Sequence, residues 1–185
     1  MLDFINPTTR PVALWPNDDL SCVAQPVEEF DNDLEQLIMD MRKTVKTQNG
    51  IGLAAPQVGV NQRVFLLDFT TIESEQNIDT FIFINPIIVE TSEQMFKWKE
   101  GCLSVPGHFE TRERPQTVRI KYQDFKGDES EVILRDLVAF AALHEYDHLE
   151  GKVFVDGSSS FKTKRIQQKM QKTIKTMRNT NGNYY

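Results

Sequence analysis

Leu34, Leu37, Ile38, Met41 and Val45 recur at the spacing of one helical face, with Asp31 or Asn32 placed to cap the start, so a helix is predicted from there to about Gln48 with Gly50 ending it. Arg63–Phe69 and Phe81–Val89 are rich in Val, Ile and Phe and are predicted as strands; Asn85-Pro86 makes the second one an edge strand or bends it. Thr70–Thr80 between them is polar and reads as a loop. Gln94–Lys99 alternates around Met95, Phe96 and Trp98. Thr117–Asp124 and Glu129–Arg135 read as a hairpin turning at Lys126-Gly127-Asp128. Leu137–Leu143 is apolar without Pro or Gly, which predicts a buried helix with Asp136 as its cap and Gly151 as its stop. Phe161–Arg178 carries Ile166, Met170, Ile174 and Met177 on one stripe and basic residues on its other faces. Met1–Gln25 is punctuated by Pro7, Pro11 and Pro16 and is expected to be irregular, while Asn179–Tyr185 is expected to fray. The fold class predicted is α+β: antiparallel sheets packed around a central helix, with an N-terminal helix and a C-terminal amphipathic helix.

The 185 residues suffice for a single domain, 1–185, with its own core. Hydrophobic residues at 39% and charged residues at 26% describe a soluble globular chain. No apolar run approaches a membrane span, and the early Asp3 argues against a secretory signal. Two cysteines, Cys22 and Cys102, make no disulfide framework and fit a cytoplasmic location; Cys22 is expected to be a small buried side chain. The net charge of −6 is uneven. Residues 161–185 hold seven basic and no acidic side chains, leaving −13 on the rest. A basic tail on an acidic body suggests an anionic partner, against the plainer reading of a solvated helix face.

The chemistry concentrates in Ala139–Gly151, AFAALHEYDHLEG. His144, Glu145 and His148 form H-E-x-x-H, which on a helix puts both imidazoles on one face toward one metal ion. Glu145 beside them could take a proton from a water at that ion. A core helix with incidental histidines is the bland alternative, but it leaves several buried polar groups unsatisfied. A catalytic site of this kind has three protein ligands. Downstream of His148 there is no His or Cys, only Glu150 and Asp156; Cys102, after Gly101 and before a Ser-Val-Pro-Gly turn, is the better third ligand. That softer donor set suits ferrous iron, zinc, cobalt or nickel. Gly50–Gly59, GIGLAAPQVG, matches a dinucleotide fingerprint in letters but not in context: a helix precedes it and Pro56 would disrupt the helix that should follow. Its glycines and alanines suit close backbone approach, and Gln57, if buried, needs partners for its amide.

Three stretches together, GIGLAAPQ at Gly50–Gln57, EGCLS at Glu100–Ser104 and HEYDHLEG at His144–Gly151, resemble the signature motifs of the peptide deformylases in order and separation. PVEEFD at Pro26–Asp31 and KVFVD at Lys152–Asp156 fit as flanks, so the resemblance runs from about Pro11 to Arg178. It implies Cys102, His144 and His148 as ligands of one divalent metal, Fe(II) in the cell and Zn, Ni or Co as alternatives. It implies Glu145 as the catalytic carboxylate, with the Gln57 side chain and the Leu103 backbone N–H as oxyanion donors. The implied reaction removes the formyl group from N-terminal formylmethionine of nascent polypeptides. The peptide would pair along Gly50, Ile51 and Gly52, and the methionine would sit among Ile51, Phe140, Ala141 and His144. Glu100 and Arg114 are implied as a structural ion pair, and Asp147 is read as support for a ligand imidazole. Leu143 and Phe109 depart from many members, which bears on pocket detail. The basic helix 161–178 fits docking near the ribosomal exit tunnel; neither DNA nor membrane is expected as a partner. The rivals are a zinc endopeptidase of the H-E-x-x-H kind and a non-enzymatic, metal-stapled module that binds ribosomes.

Overall fold

The computed structural model describes residues 6–70 and 80–180, the side chains of 177–180 excepted. All but the ends of the polar 70–80 stretch, residues 1–5 and 181–185, and the side chains of Met177 and Arg178 lie outside that description, while Asn179 and Thr180, expected to fray, belong to the last helix. The fold is mixed α and β, with antiparallel sheets and three helices. In chain order these are α1 (Asn32–Thr47), β1 (Gly52–Ala54), β2 (Val64–Leu67), β3 (Phe81–Thr91), β4 (Met95–Gly101), β5 (Phe109–Pro115), β6 (Thr117–Gln123), β7 (Glu129–Arg135), α2 (Asp136–Leu149) and α3 (Ser160–Thr180). Five strands form one antiparallel sheet in the order β1-β2-β3-β6-β7, and β4-β5 forms a two-stranded ribbon.

The sheet is covered on both faces, which explains why all four residues of β2 are buried. Val64 and Leu66 join the apolar stripe of α1 (Leu34, Leu37, Ile38, Met41 and Val45). Phe65 and Leu67, pointing the other way, pack with Ala139, Ala142, Leu143 and Leu149 of α2. α2 is apolar on nearly all sides because it lies between this sheet and the rest of the molecule. Ile166 and Met170 of α3 are buried in a third cluster with Leu14, Trp15, Leu20 and Val153–Val155. No helix of the described residues is long and apolar enough to cross a membrane.

Several local expectations need correction. Asp31 caps α1 as predicted, accepting from the Asp33 and Leu34 amides at 3.0 Å. The helix also ends where expected, with Gln48 as its C-cap, but Asn49 rather than Gly50 takes the left-handed conformation that closes it. Of the two readings of Asn85-Pro86 the bend holds and the edge does not: β3 is an interior strand whose register shifts between Ile84 and Ile87. Asn85 makes this possible: its side chain accepts from the Val27 amide at 2.7 Å and donates to the Val27 carbonyl at 2.8 Å. Asp136 does not cap α2; it is the helix's first residue, at φ 51°, and its carboxylate accepts from Gln116. Cys22 is exposed, not buried, since the 3-10 turn Asp18–Ser21, within a segment expected to be irregular, buries Leu20 and leaves Cys22 outside the core as its C-cap. β1 and β5 were not foreseen.

Candidate metal and active site

Four elements meet at the site. α2 carries His144, Glu145 and His148, all buried. The four-residue separation brings the rings together at a centroid distance of 5.1 Å with planes 89° apart. Beyond the end of β4, Cys102 reaches the same point, its Sγ 3.3 Å from His148 Nε2. One donor atom from each of Cys102, His144 and His148 lies within 4.8 Å of the other two, and among the described residues no other three such side chains converge. Alternation along β4 places Trp98 and Glu100 on the same side as the residue two further on, Cys102.

Of the two candidate ligand rings, His144 is held from behind, whereas Nδ1 of His148 has no hydrogen-bond partner among the described residues. Glu100 Oε2 is 3.1 Å from His144 Nδ1, which leaves Nε2 of that ring as the donor for a metal. Arg114 of β5 grips Glu100 with two hydrogen bonds, Nε at 2.6 Å and Nη2 at 3.1 Å. Burial works to raise the Glu100 carboxyl, but hydrogen bonds from His144 and Arg114 outweigh it and hold the carboxyl down to about 2. Asp147, expected behind an imidazole, sits instead 2.8 Å from Arg114 Nη1. It therefore supports the ring only through Arg114 and Glu100. Burial, then the charge of His144, holds the pKa of His148 well below the ordinary imidazole value, whereas for His144 burial is outweighed by hydrogen bonds to Cys102 and Glu100, which raise its pKa.

Glu145 is treated differently. Its side chain is buried, and Oε2 has no hydrogen-bond partner among the described residues. Burial first, then the charges of Glu100 and Asp147, push its carboxyl up to about 7 against the opposing effect of His144. Gly52 of β1 makes room for it: a Cβ there would stand 2.8 Å from Glu145 Cγ. Gln57 is 1% exposed. Its Oε1 accepts from the Ala54 amide at 2.8 Å, which turns Nε2 toward Ser104 Oγ at 3.1 Å and Cys102 Sγ at 3.5 Å. A buried carboxylate oxygen without a partner, beside one thiol and two imidazoles, fits a bound divalent cation and its water.

These groups open onto a cleft of about 440 Å³. Every residue expected to meet substrate lines it: Gly50, Ile51, Gly52, Phe140 and Ala141, together with Leu103. Sequence reasoning missed two contributors. Ser104 fixes the Gln57 amide, and Trp98 packs on Phe140 with ring centroids 5.4 Å apart. Both stand two residues from a residue already singled out, which was the available signal.

A thiol and two imidazoles brought to one point, next to a buried carboxyl with an unpartnered oxygen and beside an outer strand, fit a metal-dependent hydrolase of peptide-like substrates. The polypeptide deformylase family model matches residues 9–164. A peptide deformylase of Polynucleobacter necessarius is 42% identical over 166 residues, 90% of this chain and 95% of the relative. The crystal structure of a peptide deformylase from Legionella pneumophila superposes with a TM-score of 0.84 at 36% identity, covering 94% of this chain and 99% of the other. A class I type b peptide deformylase from Acinetobacter baumannii with Met-Ala-Ser bound superposes at 0.77 with 34% identity, covering 82% and 99%. The chain belongs to the polypeptide deformylase family.

Proposed function

We propose that this chain removes the N-formyl group from formylmethionine at the start of nascent polypeptides, releasing formate and a free amine. The observations that carry the reading are the convergence of Cys102, His144 and His148 on one another and the unpartnered carboxyl oxygen of Glu145, which lines the same cleft as Cys102 and His144. Cys102, His144 and His148 would hold one divalent ion, ferrous iron in the cell, with zinc, nickel or cobalt able to take its place. Bound there, the ion supplies Lewis-acid chemistry toward water and the formyl oxygen.

The chain's own groups do the rest. Glu145 accepts the proton of the attacking water and returns it to the leaving amine nitrogen. Its raised pKa suits both tasks, and a cation at the ligands would draw that pKa back down. The side-chain N–H of Gln57 and the backbone N–H of Leu103 stabilise the oxyanion; one preorganised donor of this kind contributes about 3 kcal/mol. β1 is the outer strand of its sheet, so the substrate backbone can add along Gly50, Ile51 and Gly52 as a further strand. That pairing reads main chain, which tolerates varied sequence after methionine. The methionine side chain enters between Ile51 and the aromatic pair of Phe140 and Trp98. On this reading residues 1–185 act as one catalytic domain built around the H-E-x-x-H helix, working in the cytoplasm where nascent chains emerge.

Formate release from formyl-Met-Ala-Ser by enzyme prepared anaerobically with iron tests the activity; absence of formate ends the reading. Cys102→Ser separates it from the endopeptidase alternative, because it strips the metal only if the sulfur is a ligand. A purely structural metal module has no use for an unpartnered Glu145.

The basic face of α3 supports docking on ribosomal RNA near the exit tunnel. Arg165, Lys169, Lys172 and Lys175 line one shallow surface there. Because Ile166 and Met170 are part of the core, neutralising Lys169, Lys172 and Lys175 is a cleaner test than removing the helix. Ribosome pelleting that stays equal and insensitive to salt in that variant rules the docking out.

A further inference from the structure

Of the large apolar side chains that are mostly exposed among the described residues, Phe109 is the one that also lines the cleft, where Ile51, Trp98 and Leu103 are half-buried. The residue is 61% exposed and belongs to none of the three apolar clusters. It faces Gly101 in register across β4 and β5, and a Cβ at Gly101 would stand 2.7 Å from Phe109 Cε1. The ammonium of Lys99 lies 5.0 Å from its ring centroid. Packing on a glycine fixes where the ring is. It does not explain why so large an apolar surface is left in water at the mouth of a substrate cleft.

Strand-like pairing turns successive substrate side chains to opposite faces. With methionine directed inward to Ile51 and Phe140, the next side chain is directed outward, to the rim where Phe109 stands. We propose that Phe109 is a specificity-determining residue of this site: it receives the side chain that follows methionine and favours an apolar one over none. The proposal rests on the deformylase reading and adds to it a preference, among the sequences tolerated after methionine, for an apolar second residue. It is independent of the metal ligands, since it depends on the rim alone.

The test compares formyl-Met-Leu-Ser with formyl-Met-Gly-Ser on the metal-loaded enzyme. It also measures binding of unformylated Met-Leu-Ser and Met-Gly-Ser through the fluorescence of Trp98. Covering part of a leucine side chain predicts a preference of about fivefold in kcat/KM, carried by KM, and a similar ratio in peptide binding. Phe109→Ala should bring both ratios close to one, and Phe109→Tyr should restore them. A ratio near one in the native enzyme overturns the proposal. So does a ratio that survives Phe109→Ala, including the case where both peptides slow equally, which assigns the ring to supporting Gly101. If the peptides bind with the expected preference but no formate appears, the deformylase reading fails and the rim assignment stands. Equal formate release from both peptides gives the reverse outcome.

Discussion

Glu100 and Glu145 stand on either side of His144, and the same protein interior treats them in opposite ways. They are 3% and 5% exposed, so burial alone would push both carboxyls upward. Glu100 is nevertheless held down to about 2 and Glu145 is pushed up to about 7. The difference lies in partners. Glu100 accepts two hydrogen bonds from Arg114 and meets His144 Nδ1, whereas Glu145 keeps one oxygen with no partner at all. A saturated carboxylate is a support, fixed in charge and place. An unsatisfied one is free to exchange a proton. The fold pays for that freedom with a buried polar atom left unbonded, and the cleft is where such a cost has a use.

The contrast is broken most severely by Glu145→Gln, which keeps the shape and removes the base. Formate release should fall by about a thousandfold, measured on formyl-Met-Ala-Ser. Gly52→Ala attacks the same residue through space: the new Cβ displaces Glu145, and a misplacement of that kind should slow turnover by about a hundredfold while the metal stays bound. Glu100→Gln acts on the other side, releasing His144 Nδ1 from its charged partner. Metal affinity should weaken by about 10- to 100-fold, read by competition with a chelator.

Asp68 sharpens the comparison from outside the site. It too is buried and depressed, to about 2: burial opposes ionisation, while hydrogen bonds from Thr70 and Arg42 and the charge of Lys46 outweigh it. It does not line the cleft at Glu145, so Asp68→Asn should leave turnover unchanged and cost stability only. A lowering of about 5 °C in Tm is expected, modest because Arg42 and Lys46 both reach solvent. The folded pKa lies below the unfolded value of 3.8, so this contribution is complete above that value and disappears as pH falls through about 2. The gap in Tm between native protein and variant should therefore close on acidification and stay constant toward neutrality.

Sequence patterning revealed those parts of the molecule where one physical signal dominates. The α1 stripe and the β6–β7 hairpin follow from periodicity, and the four-residue spacing of His144 and His148 follows from helix geometry. β5 did not, because Phe109–Pro115, FETRERP, is mostly charged. It is a strand because it pairs with β4, and Arg114 within it serves Glu100 rather than solvent. Asp147 misled for a related reason: adjacency to His148 in sequence suggested contact with a ring, but its side chain runs to Arg114. Cys22 misled because burial in an irregular segment has no period to read. The meeting of Cys102 with His144 and His148 was legible by elimination, since so few His and Cys residues exist in the chain. The partnering that separates Glu100 from Glu145 was only half visible, because the Arg114 pair came through resemblance and the lack of a partner at Glu145 exists only in three dimensions.

The most direct test of this division of labour measures bound metal and formate release together in Glu145→Gln. The account predicts metal at the native ratio of one ion per chain and formate release lowered by about a thousandfold. Loss of the metal, or turnover within tenfold of native, would contradict it by showing that Glu145 serves the ligands and not the proton.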